Sequence, residues 1–361
     1  MSKLYNILRT VYLSRFNLLY QFHLAYETVA NESYYPEYTR KSLIHRFIDV
    51  FSWNIKYNDN LWYYNLYGLD IRGFRNMNEY LPNHNNFIKD RARTNLMGSP
   101  ISQIVILRDK FLFYKYLSSM NLSTPEVFAF MLDGMLYDSQ MNIVDNGFLM
   151  NECNYFIKEA DGQCASFVKK IRDYQEFILN KEKIAKGRYI FQRAIIQNDK
   201  ISDLNSQSIN TLRMVTVSTG DTITVFSTVL RVGTSKTSNV DNWAAGGLSI
   251  GVGTDGHLKE FGYYKPGKGT KTRKHPDTDI LFKDFEVPFY KEAVELATRA
   301  HRSLYNIKSI GWDIAITPDG PTFVEGNDNW EIALMQASDG GLKKKWSDLL
   351  TSEVYKLRFN T

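Results

Sequence analysis

Residues 311–330 read GWDIAITPDGPTFVEGNDNW, an apolar run interrupted by single acidic and amide side chains. The turn signal Pro-Asp-Gly between two apolar arms predicts a β-hairpin. Asp313 lies in the first arm, and Glu325, Asn327 and Asp328 end the second. A bare carboxylate in such a run is costly unless a positive charge lies against it. The stretch therefore predicts either an ion pair with Arg or Lys or a bound metal ion.

The register of the hairpin decides which of these side chains are neighbours. A three-residue loop with Gly320 in the left-handed position places Asp313 opposite Glu325. Asn327 shares their face, whereas strand alternation turns Asp328 away. Two adjacent carboxylates repel each other unless a proton or a cation lies between them, and this all-oxygen set suits Mg²⁺. An ion pair with a nearby Arg or Lys stays the alternative.

Four basic residues form a second candidate set. Lys110 opens a predicted helix, and Lys158 ends a predicted strand beside the loop of residues 161–163. Arg213 and Arg231 lie on the two arms of one predicted hairpin. A lysine beside a glycine-bearing loop is a common phosphate-binding device, because the ammonium and the loop amides act on one oxyanion. Taken alone, each lysine is more often a solvated surface charge.

Composition and charge bound the class of protein. The chain has 361 residues, 43% of them hydrophobic, which is enough for two or three lobes. The net charge of +5 is spread along the chain, so we expect no nucleic-acid partner but a phosphate-bearing or acidic small molecule. Two cysteines, Cys153 and Cys164, and no signal-peptide pattern lead us to expect a reduced, cytoplasmic protein.

The residues before about position 100 have helical spacing, with apolar stripes in residues 4–12 and 43–51. We expect a helical lobe that packs onto the rest of the chain. The alternative is a face that rests on a membrane surface or on a partner enzyme, because Lys3, Arg9 and Arg15 lie among the apolar residues.

Strands and helices alternate after residue 101. A strand, then a helix opening at Asp109, then a turn at residues 123–125 and a further strand are predicted. Adjacent hairpins follow in residues 135–150 and 210–233. A later helix carries a single apolar stripe, made of Val294, Ala297, His301 and Leu304. Strands in adjacent hairpins predict an α+β fold with antiparallel sheets.

The order of these parts resembles the ATP-grasp enzymes, and most closely the sugar-transfer associated ATP-grasp family. The resemblance covers residues 101–329, and its most specific pieces are NTLR, DN…GG and GWDIAITPDGPTFVEGN. It implies an ATP-grasp fold in which two α+β lobes clamp ATP, with an additional N-terminal helical region. The implied division is residues 1–100 for the helical region, 101–190 for the first lobe, and 191–361 for the second lobe with the metal site.

The resemblance also implies roles for individual residues. Lys110 and Lys158 would touch the nucleotide phosphates, and Arg213 and Arg231 would act with Lys158 in catalysis. The adenine would be read by a hinge strand, made of Phe191, Gln192, Arg193, Ala194 and Ile195. The Mg²⁺ ligands would be Asp313, Glu325 and Asn327. Two departures from the family pattern are Gln192, where an acidic residue is usual, and a single glycine in the loop after Lys158.

A basic loop, KPGKGTKTRKHPD, is predicted to be a flexible lid that recognises an acidic substrate, with an ordinary solvated loop as the alternative. Lys274 and His275 in this loop, and Asn242 in the preceding glycine-rich loop, are candidate substrate contacts. Otherwise we expect His275 to be a surface histidine. The resemblance thus implies three kinds of small-molecule partner: ATP with Mg²⁺, a carboxylate and an amine.

The implied reaction is amide-bond formation through an acyl phosphate, attaching an amino acid or other amine to a carboxylated (uronic acid) sugar in bacterial surface-polysaccharide or capsule biosynthesis. A peptide-forming amino acid ligase is a second enzymatic interpretation. A catalytically silent nucleotide-binding module in a glycan-assembly complex and a membrane-surface scaffold are the alternatives from other classes. For the ligase, replacing Asp313 or Glu325 with Ala is expected to abolish turnover and leave the fold intact.

Overall fold

The computed structural model describes six stretches of the chain, residues 18–57, 59–82, 101–162, 167–219, 222–237 and 241–350. Near the N-terminus, helix α1 spans Leu18–Ala30 and helix α2 spans Leu43–Tyr57. They pack against each other, with the rings of Phe22 and Phe47 4.6 Å apart. The predicted stripe over residues 4–12, and the basic residues among it, lie outside the described residues.

Residues 101–119 form two helices, α3 over Ile101–Arg108 and α4 over Lys110–Ser119. The strand predicted at the start of this segment is therefore wrong, whereas the helix opening at Asp109 is confirmed. The β-branched residues of the run favour a strand by local propensity. They form a helix because Ile104 and Leu107, three residues apart, pack together into the core beneath the second sheet.

The first sheet has six strands, β1 Val127–Leu132, β2 Met135–Asp138, β3 Ile143–Val144, β4 Tyr155–Glu159, β5 Val168–Ile171 and β6 Arg188–Arg193. Their spatial order is β3-β2-β1-β6-β4-β5, and every pair is antiparallel. Helix α5 (Tyr174–Asn180) lies between β5 and β6 in the chain. The predicted hairpin in residues 135–150 is confirmed. The division between the lobes at residues 190 and 191 stays a prediction, and β6 runs across it.

The second sheet has seven strands, β7 Thr211–Ser218, β8 Ile223–Val232, β9 Leu248–Val252, β10 Leu258–Tyr264, β11 Lys271–Thr272, β12 Ser309–Thr317 and β13 Gly320–Asn327. Helix α6 (Asp199–Leu204) precedes it, and α7 (Tyr290–Ser303) lies between β11 and β12. The spatial order β11-β10-β9-β8-β7-β12-β13 places the hairpin β12–β13 beside β7. Helices α8 (Ala333–Asp339) and α9 (Lys343–Leu350) follow.

The tip of the β12–β13 hairpin differs from the predicted register. Thr317 pairs with Gly320, so the loop has two residues rather than three. A β-bulge then inserts Val324 between the paired positions, and Asp313 still lies opposite Glu325. Without this extra residue, the one-residue shift would turn Glu325 to the opposite face. The predicted pairing is therefore right, although the assumed loop is wrong.

The two faces of the second sheet are covered by different parts of the chain. One face packs on α7, whose predicted stripe is confirmed, with Ala297, His301 and Leu304 all buried. On the other face, Val215 and Val229 join one core cluster with Tyr64 and Trp330. The N-terminal region thus packs onto the rest of the chain as predicted. None of the described helices is both long and apolar enough to cross a bilayer.

Asp109 offers a test of the α3–α4 junction. Its carboxylate accepts hydrogen bonds from the amides of Phe111 and Leu112 at 2.9 and 3.0 Å, and it pairs with Arg188. We expect Asp109→Ala to lower the free energy of unfolding by about 1–2 kcal/mol, because the helix loses its cap. Urea denaturation measures this loss. Asp109→Asn keeps a capping oxygen and should recover most of it, and equal losses in both variants would contradict the capping role.

Candidate active site

Asp313 is the fixed centre of the candidate site. It lies on β12 directly opposite Arg213 on β7, and it is only 1% exposed. Arg213 donates hydrogen bonds to both carboxylate oxygens, from Nε to Oδ1 and from Nη2 to Oδ2, the latter at 2.9 Å. Arg231 on β8 donates from Nη2 to the same Oδ2 at 2.9 Å. The ion pair that the sequence left as an alternative is therefore present.

Arg231 is held on its other side by Thr211 and Asp241. Its Nε and Nη2 donate to Thr211 Oγ1 at 3.1 and 2.8 Å, and that hydroxyl donates to Asp241. Asp241 also pairs with Arg231 directly, at 3.4 Å. Neither Thr211 nor Asp241 is among the predicted site residues. The sequence could have pointed to them through their positions. Thr211 lies two residues before Arg213 in NTLR, and Asp241 directly precedes Asn242 in VDNW.

Each guanidinium group keeps one nitrogen available. Hydrogen bonds to the described residues use Nε and Nη2 of both Arg213 and Arg231, and none of them uses Nη1. The two side chains are 10% and 16% exposed, so this part of the site is shielded but accessible. Two oriented arginines with unused N–H groups are suited to bind an anion.

Glu325 is the second carboxylate of the site. It lies on β13 opposite Asp313, and Asn327 donates from Nδ2 to Glu325 Oε1 at 3.3 Å. Within the part of the chain that the structure describes, no ion pair involves Glu325. Burial and the neighbouring Asp313 carboxylate raise the pKa of Glu325. This carboxyl group is therefore short of positive charge.

The two carboxyl groups differ because only one of them has basic partners. Burial acts to raise the pKa of Asp313, but the guanidinium groups of Arg213 and Arg231 hold it well below its usual range. Asp313 is therefore ionised and neutralised, whereas the Glu325 carboxylate would need a proton or an added cation.

The donor set is chemically suited to a magnesium ion. The described residues contain no group of three or more His, Cys, Asp or Glu arranged to hold a metal, so the amide oxygen of Asn327 would have to complete the set. Asp313, Glu325 and Asn327 lie on one face and offer only hard oxygen ligands. The negative charge of the Glu325 carboxylate is not balanced by an ion pair among the described residues, and a bound cation would balance it. The assignment of these three residues as metal ligands stays a prediction.

Two lysines reach the site from the side of the first sheet. Lys158 on β4 donates from Nζ to Gln192 Oε1 at 2.7 Å, and Lys110 donates to the backbone oxygens of Glu159 and Gly162 at 3.0 and 2.5 Å. Burial lowers the pKa of both lysines, that of Lys158 to about 8, and the Glu325 carboxylate opposes the shift in both. The structure therefore brings both lysines within the field of Glu325.

The predicted hinge strand connects the two sheets. Its first part belongs to β6, where Gln192 is buried between Lys158 and the backbone oxygen of Pro125, to which its Nε2 donates at 3.3 Å. The Arg193 guanidinium stacks on the ring of Phe128 at 4.3 Å and pairs with glutamates. Both side chains are thus occupied by the protein itself.

Ala194 and Ile195 are the first residues beyond β6. No hydrogen bond between described residues involves their backbone groups, whereas Arg193 N donates to Glu126 O at 2.9 Å. An adenine ring could therefore meet free N–H and C=O groups at these two positions. Their nucleotide-binding role remains a prediction.

Three predicted substrate contacts lie elsewhere or are already engaged. Asn242 caps a short 3₁₀ turn, since its side chain accepts a hydrogen bond from Ala244 N at 2.9 Å. Lys274 is exposed and pairs with Asp279 at 2.6 Å. The expectation that His275 touches substrate or lies on the surface is wrong. His275 is fully buried, with Nε2 bonded to Gly233 O at 2.8 Å and Nδ1 accepting from a backbone amide.

The basic loop is anchored rather than free. Part of it forms β11, which pairs with β10. Lys271 forms an ion pair with Glu37 at 2.7 Å and lies 4.0 Å from the ring centre of Tyr35, while Arg273 pairs with Glu260 at 2.8 Å. Because these basic groups already have protein partners, the structure contradicts the flexible lid.

Asp328 is directed away from the cluster, as strand alternation requires. Arg108 at the end of α3 donates to both of its carboxylate oxygens, at 2.9 and 2.6 Å. This pair ties the end of β13 to the end of helix α3. It therefore contributes to the position of the hairpin, and Asp328 is not needed as a metal ligand.

Because Asp313 and Glu325 have different surroundings, we expect their substitution to have different effects on the stability of the protein. We expect Asp313→Ala to cost about 3–5 kcal/mol, because it leaves the buried Arg213 guanidinium group without its carboxylate partner and removes one of the two carboxylates that pair with Arg231. The sequence-based expectation that this variant keeps the fold intact is thus revised. Glu325→Gln should leave the melting temperature unchanged or raise it, because it removes carboxylate repulsion. Thermal unfolding without metal measures both, and a large loss in Glu325→Gln would contradict the assigned charge balance.

Comparisons with known proteins identify the family of the chain. No curated protein matches the sequence. Among solved structures, the D-alanine–D-alanine ligase from Bacillus anthracis is 13% identical, with a TM-score of 0.40 over 71% of this chain and 69% of that one. The ATP-grasp ligase PsnB, complexed with its minimal precursor, is 11% identical, with a TM-score of 0.39 over 70% and 64% of the two chains.

The match to an ADP complex of N5-carboxyaminoimidazole ribonucleotide synthetase has 9% identity and a TM-score of 0.40. It covers 63% of this chain but only 47% of that enzyme, so the chain spans about half of its length. The family model described as "Sugar-transfer associated ATP-grasp" matches residues 92–349, which is most of the chain. The protein therefore belongs to the sugar-transfer associated ATP-grasp family.

Proposed function

We propose that the protein is an ATP- and Mg²⁺-dependent ligase that joins a carboxylate to an amine through an acyl phosphate. The observation that supports it most strongly is the position of Glu325. Its charge acts on Lys110 and Lys158 from one sheet and on Asp313 and Arg213 within the other. The basic residues Lys110 and Lys158 and the carboxylate of Glu325 thus face one space. The transfer of a charged phosphoryl group requires such an arrangement of charges.

In this proposal Lys110 and Lys158 bind the nucleotide phosphates. Their ammonium groups now contact uncharged oxygens, and a phosphate oxygen would give a stronger, charge-assisted bond. The free backbone groups of Ala194 and Ile195 would bind the adenine edge. Asp313, Glu325 and Asn327 would hold Mg²⁺, which would supply charge neutralisation for the phosphates.

Arg213 and Arg231 would orient the carboxylate substrate and then the acyl phosphate. Asp313 and Thr211 fix both guanidinium planes, so the unused Nη1 groups need little reorganisation to bind an oxyanion. Thr211 and Asp241 are positioning residues in this scheme, because they contact Arg231.

The reaction balances without a covalent protein intermediate. A carboxylate oxygen attacks the γ-phosphorus of ATP, the bond to the β-phosphate oxygen breaks, and ADP leaves. An amine then attacks the acyl carbon, phosphate departs with the electron pair of the C–O bond, and the ammonium proton is lost to solvent or a base. The residues contribute position and charge, which account for most phosphoryl-transfer catalysis.

For the substrates, we propose a uronic acid sugar as the carboxylate and an amino acid or another amine as its partner. The description of the family as sugar-transfer associated supports this choice. We further propose that the reaction serves bacterial surface-polysaccharide or capsule assembly and takes place in the cytoplasm, where ATP is available. ADP release measured against pairs of uronic acids and amino acids tests it. ATP binding without ADP release for any pair would favour the catalytically silent module.

Glu325→Gln tests the catalytic assignment. We expect ADP release to fall by about 10²-fold or more, because the amide cannot replace a carboxylate that balances metal and lysine charge. The steady-state rate with saturating ATP and Mg²⁺ is the measurement. Asp319→Asn, on the exposed tip of the same hairpin, is the matched control and should keep the wild-type rate. A Glu325→Gln enzyme with wild-type turnover would refute the site.

The pKa of Lys158 predicts proton uptake on ATP binding. Its pKa of about 8 lies below the usual value near 10.4, so at about pH 8.5 much of the free protein carries a neutral amine here. A bound phosphate would raise that pKa, so ATP should bind with uptake of a proton and more weakly as pH rises. In the absence of ATP, Lys158 should add stability as pH rises from about 8 to 10.4, because the unfolded chain holds more protons.

Titration calorimetry with ATP in buffers of different ionisation enthalpy measures this uptake. Lys158→Met should abolish it, whereas Lys170→Met, an exposed lysine on the neighbouring strand β5, should retain it. If the wild type and Lys158→Met take up equal numbers of protons, another group is responsible.

A further inference from the structure

A cavity of about 270 Å³ lies between the N-terminal region and the loop that joins β10 to β11. The N-terminal region lines it with aromatic and polar side chains, namely Asn31, Glu32, Tyr34, Trp62 and Asn65. Four loop residues, Pro266, Gly267, Gly269 and Thr270, form the opposite wall. The volume lies just below the range of about 300–1,000 Å³ typical of drug-sized ligands, so it fits one small ring.

Both walls of this cavity are held in place. Tyr34 donates its hydroxyl to the backbone oxygen of Tyr264 at 2.9 Å, and Lys271 is fixed by Glu37 and the ring of Tyr35. Gly269 has φ +143°, and a Cβ there would lie 2.8 Å from the Tyr264 ring. The loop can therefore follow this path only with glycine at that position. The basic loop thus forms one rigid wall of a cavity.

One residue that lines the cavity, Asn65, has a buried polar atom without a hydrogen-bond partner among the described residues. Asn65 is 4% exposed, and its Nδ2 donates to the backbone oxygens of Thr28 and Asn31 at 3.2 and 2.9 Å. Its Oδ1 is buried and accepts no hydrogen bond from the residues that the structure describes. Such an acceptor is costly to leave unpaired, so a bound water is expected beside it.

Trp62 supplies the apolar surface. Trp62 is 47% exposed, so its indole ring offers apolar surface at the cavity. An aromatic face next to amide side chains and backbone groups matches a ligand that has one apolar face and several hydroxyl groups. No lysine or arginine lines the described cavity, and Glu32 does. An anionic ligand is therefore disfavoured.

We propose that this cavity binds a single neutral sugar ring, with one face of the ring on Trp62 and its hydroxyl groups bonded to Asn31 and Glu32. The site is separate from the Asp313–Glu325 cluster and needs no ATP. The ring bound here would differ from the carboxylated group that the proposed reaction activates. A glycan that carries both a neutral and an acidic residue could occupy both sites.

Saturation-transfer NMR and calorimetry with three methyl glycosides, those of glucose, N-acetylglucosamine and glucuronic acid, test the site without nucleotide. We expect at least one neutral glycoside to bind with millimolar affinity and more tightly than the glucuronide. Trp62→Ala should weaken binding about tenfold or more, and Asn31→Ala should weaken it less. Tyr305→Ala removes an aromatic side chain that is 51% exposed elsewhere on the surface, and it should bind as the wild type does.

Binding of neither neutral glycoside to the wild type would overturn the proposal, as would equal binding by a folded Trp62→Ala variant. Preferred binding of the glucuronide, or of ethanolamine included as a cationic probe, would assign the cavity to a charged ligand instead and refute a neutral sugar site. The same variants are assayed for ADP binding. A failure of ligase activity with intact, Trp62-dependent glycoside binding would count against the proposed reaction and leave this site standing.

Discussion

The rest of the site depends on one buried interaction, the contact of Asp313 with Arg213 and Arg231 across three neighbouring strands. It sets the register of β12 against β7, because a shift by one residue would leave the buried Arg213 guanidinium group without its carboxylate partner. It also fixes the planes of both arginines and leaves their Nη1 groups unused. The same contact therefore contributes to the specificity of the fold and to the preorganisation of an anion site.

This contact also explains why Glu325 has an unbalanced charge. Asp313 has already taken the positive charge that the second sheet supplies, so its neighbour experiences mainly burial and repulsion. The remaining sources of positive charge are the lysines of the first lobe and an added cation. Binding a metal–nucleotide complex would satisfy Glu325 and join the two lobes. The charge of the site would therefore be balanced only when a metal–nucleotide complex is bound.

The sequence predicts those parts that depend on local patterns. Strand alternation and the turn residues predict the pairing of Asp313 with Glu325, although the structure reaches it through a shorter loop and a β-bulge that the sequence did not indicate. The capping chemistry of Asp109 locates α4. Longer-range packing decides what the local patterns cannot: α3 is a helix because of what Ile104 and Leu107 contact. The partners of Lys271 are equally remote in sequence, so a basic, glycine-rich loop was interpreted as a lid although it is anchored.

The sequence does not show which face of the second sheet the N-terminal region covers, and this position matters for access to the candidate site. Strand alternation puts Arg213 on the same face of the second sheet as Val215, and Val215 packs in one cluster with the N-terminal tyrosines. The region outside the family model therefore covers the face that carries Arg213 and Arg231, while α7 covers the other. A segment so placed can limit what reaches those arginines, and so it is the natural part of the chain to carry substrate specificity.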